Sequence, residues 1–325
     1  MNTFISEISG IGMVPILKAG EPADAVSLAC VLRKHGVDAM LLTGETACDA
    51  IREIHKEYPD FLVGAGNITE KEQVKQVVQA GAKWIACAGI QENLVCWCRD
   101  NGVEIVPGVS TASEIETAIA CGLTCVQFFP AQASGGTAAL RAFAQAYPQM
   151  RFLVSGGIDR DNLHEFLGEP NVLAAVGDFI VSESSLSDRN WEQAETEIAS
   201  AVKHLLGFEL IHLGVNQDSC EEAVQTAQTL CNLFHFTYYK KPKSHFAGRG
   251  FEILNQKGRG KNGHIGIYTP YPEKAMRYLG KQGVRFVEES ITRNKKTKAI
   301  NFVYLDLEIA GFGVHLINPD VKMKV

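Results

Sequence analysis

The sequence of 325 residues has no apolar run that approaches the roughly 18–20 residues a membrane-spanning helix needs. Its first ten residues, MNTFISEISG, have neither the basic start nor the apolar centre of a secretory signal peptide. Apolar residues make up 46% of the chain and the mean hydropathy is −0.01, as in an ordinary globular protein with ample core. These absences exclude a membrane partner and predict a cytoplasmic protein.

The sequence also lacks the cysteine spacing of a zinc site and the motifs of a nucleic-acid-binding protein. The nine cysteines are odd in number, and neither Cys96 with Cys98 nor Cys121 with Cys125 has zinc-site spacing. We therefore expect free, mostly buried thiols in a reducing compartment. The basic runs KKPK at 240–243 and RNKKTK at 293–298 have no interleaved aromatic residues, so we expect solvated loops and no nucleic-acid partner.

Charge divides the chain into two parts. Residues 1–207 carry 14 Lys and Arg against 26 Asp and Glu, whereas residues 208–325 carry 17 against 11. The pattern of apolar segments changes at the same place, at a linker of residues 205–209. We predict two domains, 1–206 and 207–325, whose opposite charges either attract each other or give the basic half an anionic partner.

Short apolar runs alternate regularly with helix-like stretches in the first part. The runs are GMVPIL, AMLL, FLVGAG, WIACAG, EIVPGV, CVQFFPA, RFLVSGG and AAVGDFIV. The stretches between them repeat apolar residues at helical spacing, and several end in glycine. This alternation predicts an α/β fold, a (β/α)8 TIM barrel, with an open doubly wound sheet as the alternative.

Ligand-binding residues of a barrel are expected where its strands end. The ends here carry small or polar residues: Lys18, Asn67, Pro107, Ser155, Gly156, Gly157 and Asp178. Gln127 is unusual because it places an amide inside an apolar strand. Such a buried group costs about 1–3 kcal/mol unless it is hydrogen-bonded, so we expect Asn67 or Ser155 as its partner.

Several segments carry a resemblance to one family: PILKAGEPADAVSLACVL, VPGVSTASEIETAIACGL, FFPAQASGGTAALRA and RFLVSGGIDRDNLHEFL. Residues 5–205 resemble the 2-keto-3-deoxy-6-phosphogluconate (KDPG) / 4-hydroxy-2-oxoglutarate (KHG) aldolases. The resemblance implies a homotrimeric barrel that needs no cofactor and cleaves a 2-keto acid to pyruvate and an aldehyde. It also implies a strand-six lysine that forms a Schiff base, a strand-two glutamate that transfers protons and an arginine that binds the carboxylate.

The residues at these catalytic positions are different here. Gln127 stands at the lysine position and Leu41 at the glutamate position, and Glu45 is the charge nearest to the missing arginine. An amide nitrogen is not nucleophilic, so Gln127 cannot form an imine. Scaffold residues that match the family are Pro107, Phe129, Ser155, Gly156 and Gly157, with Lys18 near the expected ligand anion. Asp178 would repel a phosphate at the strand-eight corner.

The second part of the chain repeats one small motif. ELIHLGVN and GHIGIY each begin a unit of strand, helix and further strands, among them FTYYKKP, GFEIL and RFVEES, and AINFVYLDLEIAGFGVHLI closes the second unit. Residues 208–318 resemble the vicinal oxygen chelate superfamily, which includes glyoxalase I. The resemblance implies an α+β domain of two βαβββ units around a divalent metal. The matching ligand positions are His212, Glu252, His264 and His315, a donor set that suits Zn, Ni, Fe or Mn. Histidines of a metal-free core are the alternative.

Three hypotheses about function follow. The barrel binds a small 2-oxo acid, through a polar pocket of Lys18, Asn67, Gln127, Ser155 and Asp178, but no longer cleaves it. Alternatively, it retains lyase or isomerase chemistry, with Glu45 or Asp178 as base or with Lys18 as a relocated nucleophile. In the third hypothesis, the chain is a metalloenzyme whose activity lies in the second domain and whose barrel supplies trimerisation.

Overall fold

The computed structural model describes residues 3–295 and 298–318. It divides into two compact units, Met1–Leu205 and Leu206–Val325. Among the described residues, no helix is both long and apolar enough to cross a membrane.

The first unit is a closed barrel of eight parallel strands, each paired with the next and the last with the first. The strands are β1 Met13–Lys18, β2 Ala39–Thr43, β3 Leu62–Ala65, β4 Trp84–Cys87, β5 Ile105–Val109, β6 Cys125–Phe128, β7 Arg151–Ser155 and β8 Val172–Gly177. Nearly all of their residues are buried, because helices cover the outside and side chains fill the inside. The predicted TIM barrel is confirmed, and the open sheet is excluded.

Helices alternate with these strands. They are α1 Thr3–Ile11, α2 Pro22–Lys34, α3 Ala47–Glu57, α4 Lys71–Ala80, α5 Glu92–Asp100, α6 Ala112–Ala120, α7 Gly136–Ala146, α8 Leu163–Leu167, α9 Glu183–Ser187 and α10 Trp191–Leu206. Local sequence determines where they begin. At α6, for example, the Thr111 hydroxyl accepts from the Glu114 amide, and the Glu114 carboxylate accepts from the Thr111 amide.

Two features of the barrel were not expected. Helix α1 precedes the first strand, and its Phe4 ring lies 5.5 Å from that of Trp84 at the start of β4, so α1 packs at the end where strands begin. Strand β8 begins and ends earlier than AAVGDFIV, because the apolar residues Ile180 and Val181 are buried in the connection that follows it.

The second unit is a mixed eight-stranded sheet with two helices. Its first half comprises β9 Glu209–Asn216, α11 Cys220–Phe234, β10 Tyr238–Lys241, β11 Ser244–Ala247 and β12 Phe251–Leu254. Its second half comprises β13 Gly263–Tyr268, α12 Pro272–Lys281, β14 Thr292–Arg293, β15 Ile300–Ile309 and β16 Phe312–Ile317. The strand order is β10-β11-β12-β9-β13-β16-β15-β14, so the two halves are arranged in the same way about the antiparallel pair β9 and β13.

Local predictions for this unit were partly wrong. RFVEES is not a strand: Phe286 makes a single bridge to Leu305, and Glu288–Ser290 forms a 3-10 turn. Strand β11 was missed because SHFA is short and has no β-branched residue. Lys240 and Lys241 lie in strand β10 rather than in a loop. Lys296 and Thr297, part of the second basic run, lie outside the described residues.

Candidate functional site

Gln127 is the third residue of β6, between Gly108 of β5 and Leu153 of β7. It is 6% exposed, and its Nε2 donates to Oγ of the equally buried Ser155 at 2.8 Å. Its Oε1 is buried and has no hydrogen-bond partner among the described residues. An unpaired buried acceptor is costly, so Oε1 is the unsatisfied polar atom of this pair.

The resemblance to the aldolases implies a glutamate and an arginine at two other positions, and no side chain takes over their roles there. Leu41 lies in β2 and is 1% exposed; a Cβ added at Gly66, after β3, would lie 3.3 Å from its Cγ. Glu45 lies in the exposed turn after β2. Lys18 is the exposed last residue of β1, and its side chain runs past Gly44. A buried Leu41 cannot transfer protons, so any proton transfer in this barrel needs another group.

The remaining candidate ligand residues lie at the same end of the barrel because all the strands are parallel. Pro107 is buried in β5, Phe129 and Gly156 are half-buried after β6 and β7, and Asn67, Gly157 and Asp178 are exposed. Among the described residues, no hydrogen bond joins Lys18, Asn67 or Asp178 to the pair of Gln127 and Ser155. The hydrogen-bonded part of the expected polar pocket is therefore that pair.

In the second unit, three buried histidines converge on one point. Nε2 of His212 lies 3.1 Å from Nε2 of His264 and 3.1 Å from Nε2 of His315. The three ring centroids form a triangle with sides of 5.1 Å. Glu252 completes the group, with Oε2 at 3.5 Å from His212 and 3.4 Å from His264. We call these four residues the His/Glu cluster.

The strand register places the His/Glu cluster. On the antiparallel pair, His264 faces Gly214 and His212 faces Gly266. A Cβ at Gly214 would lie 2.1 Å from the His264 ring, and one at Gly266 would lie 2.4 Å from the His212 ring. Only glycine leaves room for the imidazoles at these two positions. Each His-x-Gly segment of the sequence therefore makes space for the histidine of the other.

The outer two members of the cluster follow the same register. Glu252 of β12 pairs with Gly214, and His315 of β16 pairs with Gly266, in both cases between parallel strands. Glu252 and His315 thus hold equivalent places in the two halves of the sheet. The four predicted ligand positions are brought together by this arrangement.

The ionisation states of His212, His315 and Glu252 suit a cation. Burial lowers the pKa of His212 to about 4, although the charge of Glu252 opposes this, and burial beside the other two rings lowers the pKa of His315 to about 3. Burial raises the pKa of Glu252, but hydrogen bonds from His264 and Ser244 outweigh it and bring the value to about 2. Neutral imidazoles and a carboxylate are the protonation states that bind metal.

A cavity of about 330 Å³ opens onto the cluster. Besides the four cluster residues, its lining includes Lys241, Phe246, Tyr268, Phe302 and Tyr304. Sequence reasoning missed Ser244, whose hydroxyl donates to Glu252 Oε1 at 2.7 Å, because it missed β11. It also missed Lys241, whose Nζ lies 4.3 Å from the centroid of the Phe246 ring. The alternation of side chains along a strand could have revealed Ser244, because Ser244 and Phe246 lie on the same face of β11.

Comparison with known proteins identifies the barrel. The family model for KDPG and KHG aldolases matches residues 5–196. The 2-dehydro-3-deoxy-phosphogluconate aldolase of Treponema pallidum is 35% identical over 209 residues, 64% of this chain and 99% of the relative. The KHG/KDPG aldolase of Escherichia coli K12 is 34% identical over 193 residues, 59% of this chain and 91% of the relative.

Solved structures agree with these sequence matches. The KDPG aldolase of Legionella pneumophila, with pyruvate captured as a covalent carbinolamine, superposes with a TM-score of 0.59 and 29% identity, covering 62% of this chain and 99% of that one. The Zymomonas mobilis enzyme with 3-phosphoglycerate gives a TM-score of 0.56 and 26% identity, covering 61% and 94%. Through its barrel, the chain belongs to the KDPG and KHG aldolase family.

Proposed function

We propose that the reactive centre of this protein is a divalent metal held by the His/Glu cluster of the second unit, in a glyoxalase-like domain. The convergence of three imidazole Nε2 atoms carries the proposal. Two neutral imidazoles that meet through Nε2 can share only one proton between them. A cation at the centre of the cluster would instead accept the Nε2 lone pairs of all three rings.

The distances in the cluster suit such an ion. Nitrogen and oxygen ligands at about 2.1 Å from one metal lie roughly 3.0–3.4 Å apart. The two measured Nε2 separations are 3.1 Å, and the Glu252 oxygen lies 3.4 Å from His264. Three imidazoles with one carboxylate suit Zn, Ni, Fe or Mn.

Packing against glycine holds two of the three rings of the His/Glu cluster. Their Nδ1 atoms are buried and have no hydrogen-bond partner within residues 3–295 and 298–318. Metal-binding histidines commonly donate this proton to a second group. Here the close approach of Gly214 and Gly266 confines two of the rings instead, while Ser244 orients Glu252.

A bound metal would supply Lewis-acid chemistry toward an oxygen of a small ligand. The protein contributes the rest of the site. Phe246, Phe302 and Tyr304 line the cavity with aromatic rings, and Lys241 adds a positive charge beside it. These features favour a small anionic ligand with a flat or apolar body.

Metal analysis of the purified full chain tests this function. We expect about one equivalent of a transition metal in the wild type and less than roughly a tenth in His264→Ala. His235→Asn, which changes an exposed histidine of the same unit, is the control and should retain the metal. A wild type that carries no metal and gains none on titration with Zn, Ni, Fe or Mn contradicts the proposal.

For the barrel, we propose that it binds a small 2-oxo acid with lost or altered carbon–carbon lyase chemistry. The buried Gln127 supports this, because its unpaired Oε1 and its bond to Ser155 make a hydrogen-bonding group rather than a nucleophile. A carbinolamine such as the one in the Legionella relative needs an amine. An altered lyase would have to draw a base from Glu45 or Asp178, or an amine from Lys18, and all three are exposed.

Calorimetric titration with pyruvate tests binding by the barrel. We expect saturable, reversible binding that Gln127→Ala weakens and that Gln145→Ala, an exposed change on α7, leaves unchanged. If neither pyruvate nor 2-oxoglutarate binds at millimolar concentration, the barrel has no 2-oxo acid site. Light scattering of the same sample tests the homotrimer that the family resemblance implies, and a monomeric mass contradicts it.

A further inference from the structure

The face of the second-unit sheet opposite the His/Glu cluster carries a thiol with a histidine partner. Ser244 and His245 are neighbours on β11, so their side chains point to opposite faces. Ser244 donates to Glu252 of the cluster, whereas His245 faces helix α11. Cys220, the exposed first residue of α11, has its Sγ 3.7 Å from His245 Nε2.

A third residue orients this histidine. The Tyr238 hydroxyl lies 2.5 Å from His245 Nδ1, and the two rings stack with centroids 5.7 Å apart. If Nε2 accepts from the Cys220 thiol, the neutral ring carries its proton on Nδ1 and donates it to the tyrosine oxygen. Cys220, His245 and Tyr238 therefore form a hydrogen-bonded chain of nucleophile, base and a group that orients the base. Such a chain is the arrangement that activates a thiol for covalent chemistry.

Surrounding charges decide how the thiol is activated. Burial, with the nearby charge of Lys240, lowers the pKa of His245, so the ring is neutral at neutral pH and can accept a proton. Glu221 and Glu222 follow Cys220 in the first turn of α11, so its neighbours on that helix are acidic rather than basic. Proton transfer during the attack, rather than a standing ion pair, fits these surroundings.

We propose that Cys220 is a reactive site for thiol–disulfide exchange with small disulfides, with His245 as general base and Tyr238 as the positioning residue. The Cys220 sulfur attacks one sulfur of the disulfide, and the new S–S bond forms as the old one breaks. The thiol proton passes to His245 Nε2, and the released thiolate takes it up. A mixed disulfide on Cys220 and one free thiol are the products.

The chain contains its own reference thiol. Cys30 is the other exposed cysteine among the described residues, and its side-chain partner is the Tyr58 phenol rather than a histidine. Incubation of the full chain with glutathione disulfide, followed by peptide mass spectrometry, gives both rates in one sample. We expect Cys220 to react at least about tenfold faster than Cys30. Equal rates in the wild type overturn the proposal without any variant.

Variants assign the roles within the site. His245→Asn should lower the Cys220 rate to that of Cys30 and leave the Cys30 rate unchanged; an unchanged Cys220 rate excludes His245 as the base. Because His245 is 1% exposed, this variant could fail to fold. Tyr238→Phe preserves the packing, and we expect it to slow Cys220 and to move the pH of half-maximal exchange, which loss of packing alone would not do. Wild-type kinetics in Tyr238→Phe exclude the positioning role.

Discussion

At the scale of single residues, a buried amide and a reactive lysine make different demands on their surroundings. A catalytic lysine needs a neighbour that accepts and returns protons, whereas an amide needs partners for both its donor and its acceptor. Gln127 has Ser155 as one partner. The buried Leu41 occupies the position at which the resemblance to the aldolases implies a proton-transferring glutamate. The two replacements agree with each other, since an amide that forms no imine has no use for a proton shuttle.

Removing the Ser155 hydroxyl should destabilise the barrel. Ser155→Ala leaves the buried Nε2 of Gln127 without its acceptor, for an expected loss of about 1–3 kcal/mol in the free energy of unfolding. Urea unfolding followed by tryptophan fluorescence measures this, because all three tryptophans, at 84, 97 and 191, lie in the barrel. Ser27→Ala is the control, since it removes a half-buried hydroxyl that bonds to the Ala23 carbonyl within its own helix α2. Equal stability of the two variants would show that the Gln127 bond contributes nothing.

A methyl group at Gly266 should disrupt the His/Glu cluster. The added Cβ would lie 2.4 Å from the His212 ring, which must then move. We expect Gly266→Ala to weaken metal binding by roughly 10–100-fold, the usual effect of disturbing the groups that hold metal ligands. Gly250→Ala, where nothing lies within 4 Å of the new Cβ, should bind like the wild type. Competition with a chelator gives both affinities; equal values would refute the packing argument.

At the scale of elements, the alternation of eight apolar runs with helical stretches favoured the barrel, with an open doubly wound sheet as the alternative that shows the same alternation. A parallel strand buried on both faces must be apolar throughout, so its sequence is easy to recognise. Boundaries were harder where apolar residues continue past a strand, as Ile180 and Val181 do after β8. Strand β11 could not be recognised from SHFA alone, since pairing with β10 and β12 rather than local preference makes it a strand.

The two candidate sites differed in how far the sequence revealed them. The resemblance to the vicinal oxygen chelate superfamily implied His212, Glu252, His264 and His315 as one set, and the strand register brings these four residues together. The pair of Cys220 and His245 was not foreseen. It depends on how α11 lies across the sheet, and no short-range pattern reports that packing.

A carboxylate of α10 fixes the start of α9 and should make barrel stability depend on pH. Glu197 accepts from the Ser182 amide at 2.8 Å, from the Ser182 and Ser185 hydroxyls, and from Gln193. Burial raises the pKa of Glu197, but these hydrogen bonds outweigh it and lower the pKa below the ordinary value of 4.5. The carboxylate therefore stabilises the fold above that pH, and the contribution disappears as the pH falls through the folded-state pKa.

Glu197→Gln tests this dependence. We expect a loss of about 1–2 kcal/mol at pH 7, allowing for partial exposure, and a smaller difference from the wild type below pH 4.5. Glu192→Gln, an exposed change on the same helix, should show neither effect. Unfolding by urea at several pH values gives the comparison, and a difference that grows on acidification would reverse the assigned sign.

At the scale of the whole molecule, the family relationship covers the barrel, and the His/Glu cluster lies in the second unit outside it. The family model ends at residue 196, before β9 begins. The charge of the chain changes sign between the two parts, from acidic to basic. A family name that describes an aldolase therefore predicts the architecture of the first unit and leaves the His/Glu cluster to be understood from its own geometry.

Removal of metal should act on one unit only. At a free metal concentration 100 times the Kd, binding adds about 2.7 kcal/mol to the stability of the unit that binds it. We expect a chelator to lower the unfolding midpoint seen by far-ultraviolet circular dichroism while the tryptophan signal of the barrel stays unchanged. His264→Ala should not respond to the chelator. A chelator that shifts the tryptophan transition of the wild type equally would contradict a metal site confined to the second unit.

The proposal that the barrel binds a 2-oxo acid without cleaving it depends on the claim that the barrel has no amine able to form an imine with that acid. Borohydride reduction in the presence of pyruvate, followed by intact-mass measurement, tests that claim directly, with a family aldolase that retains the lysine as positive control. We predict that the full chain keeps its unmodified mass, because none of its lysines forms an imine, while the control gains a covalent adduct. An adduct on any lysine of this chain would contradict binding without an imine, and an adduct on Lys18 would identify Lys18 as the relocated nucleophile.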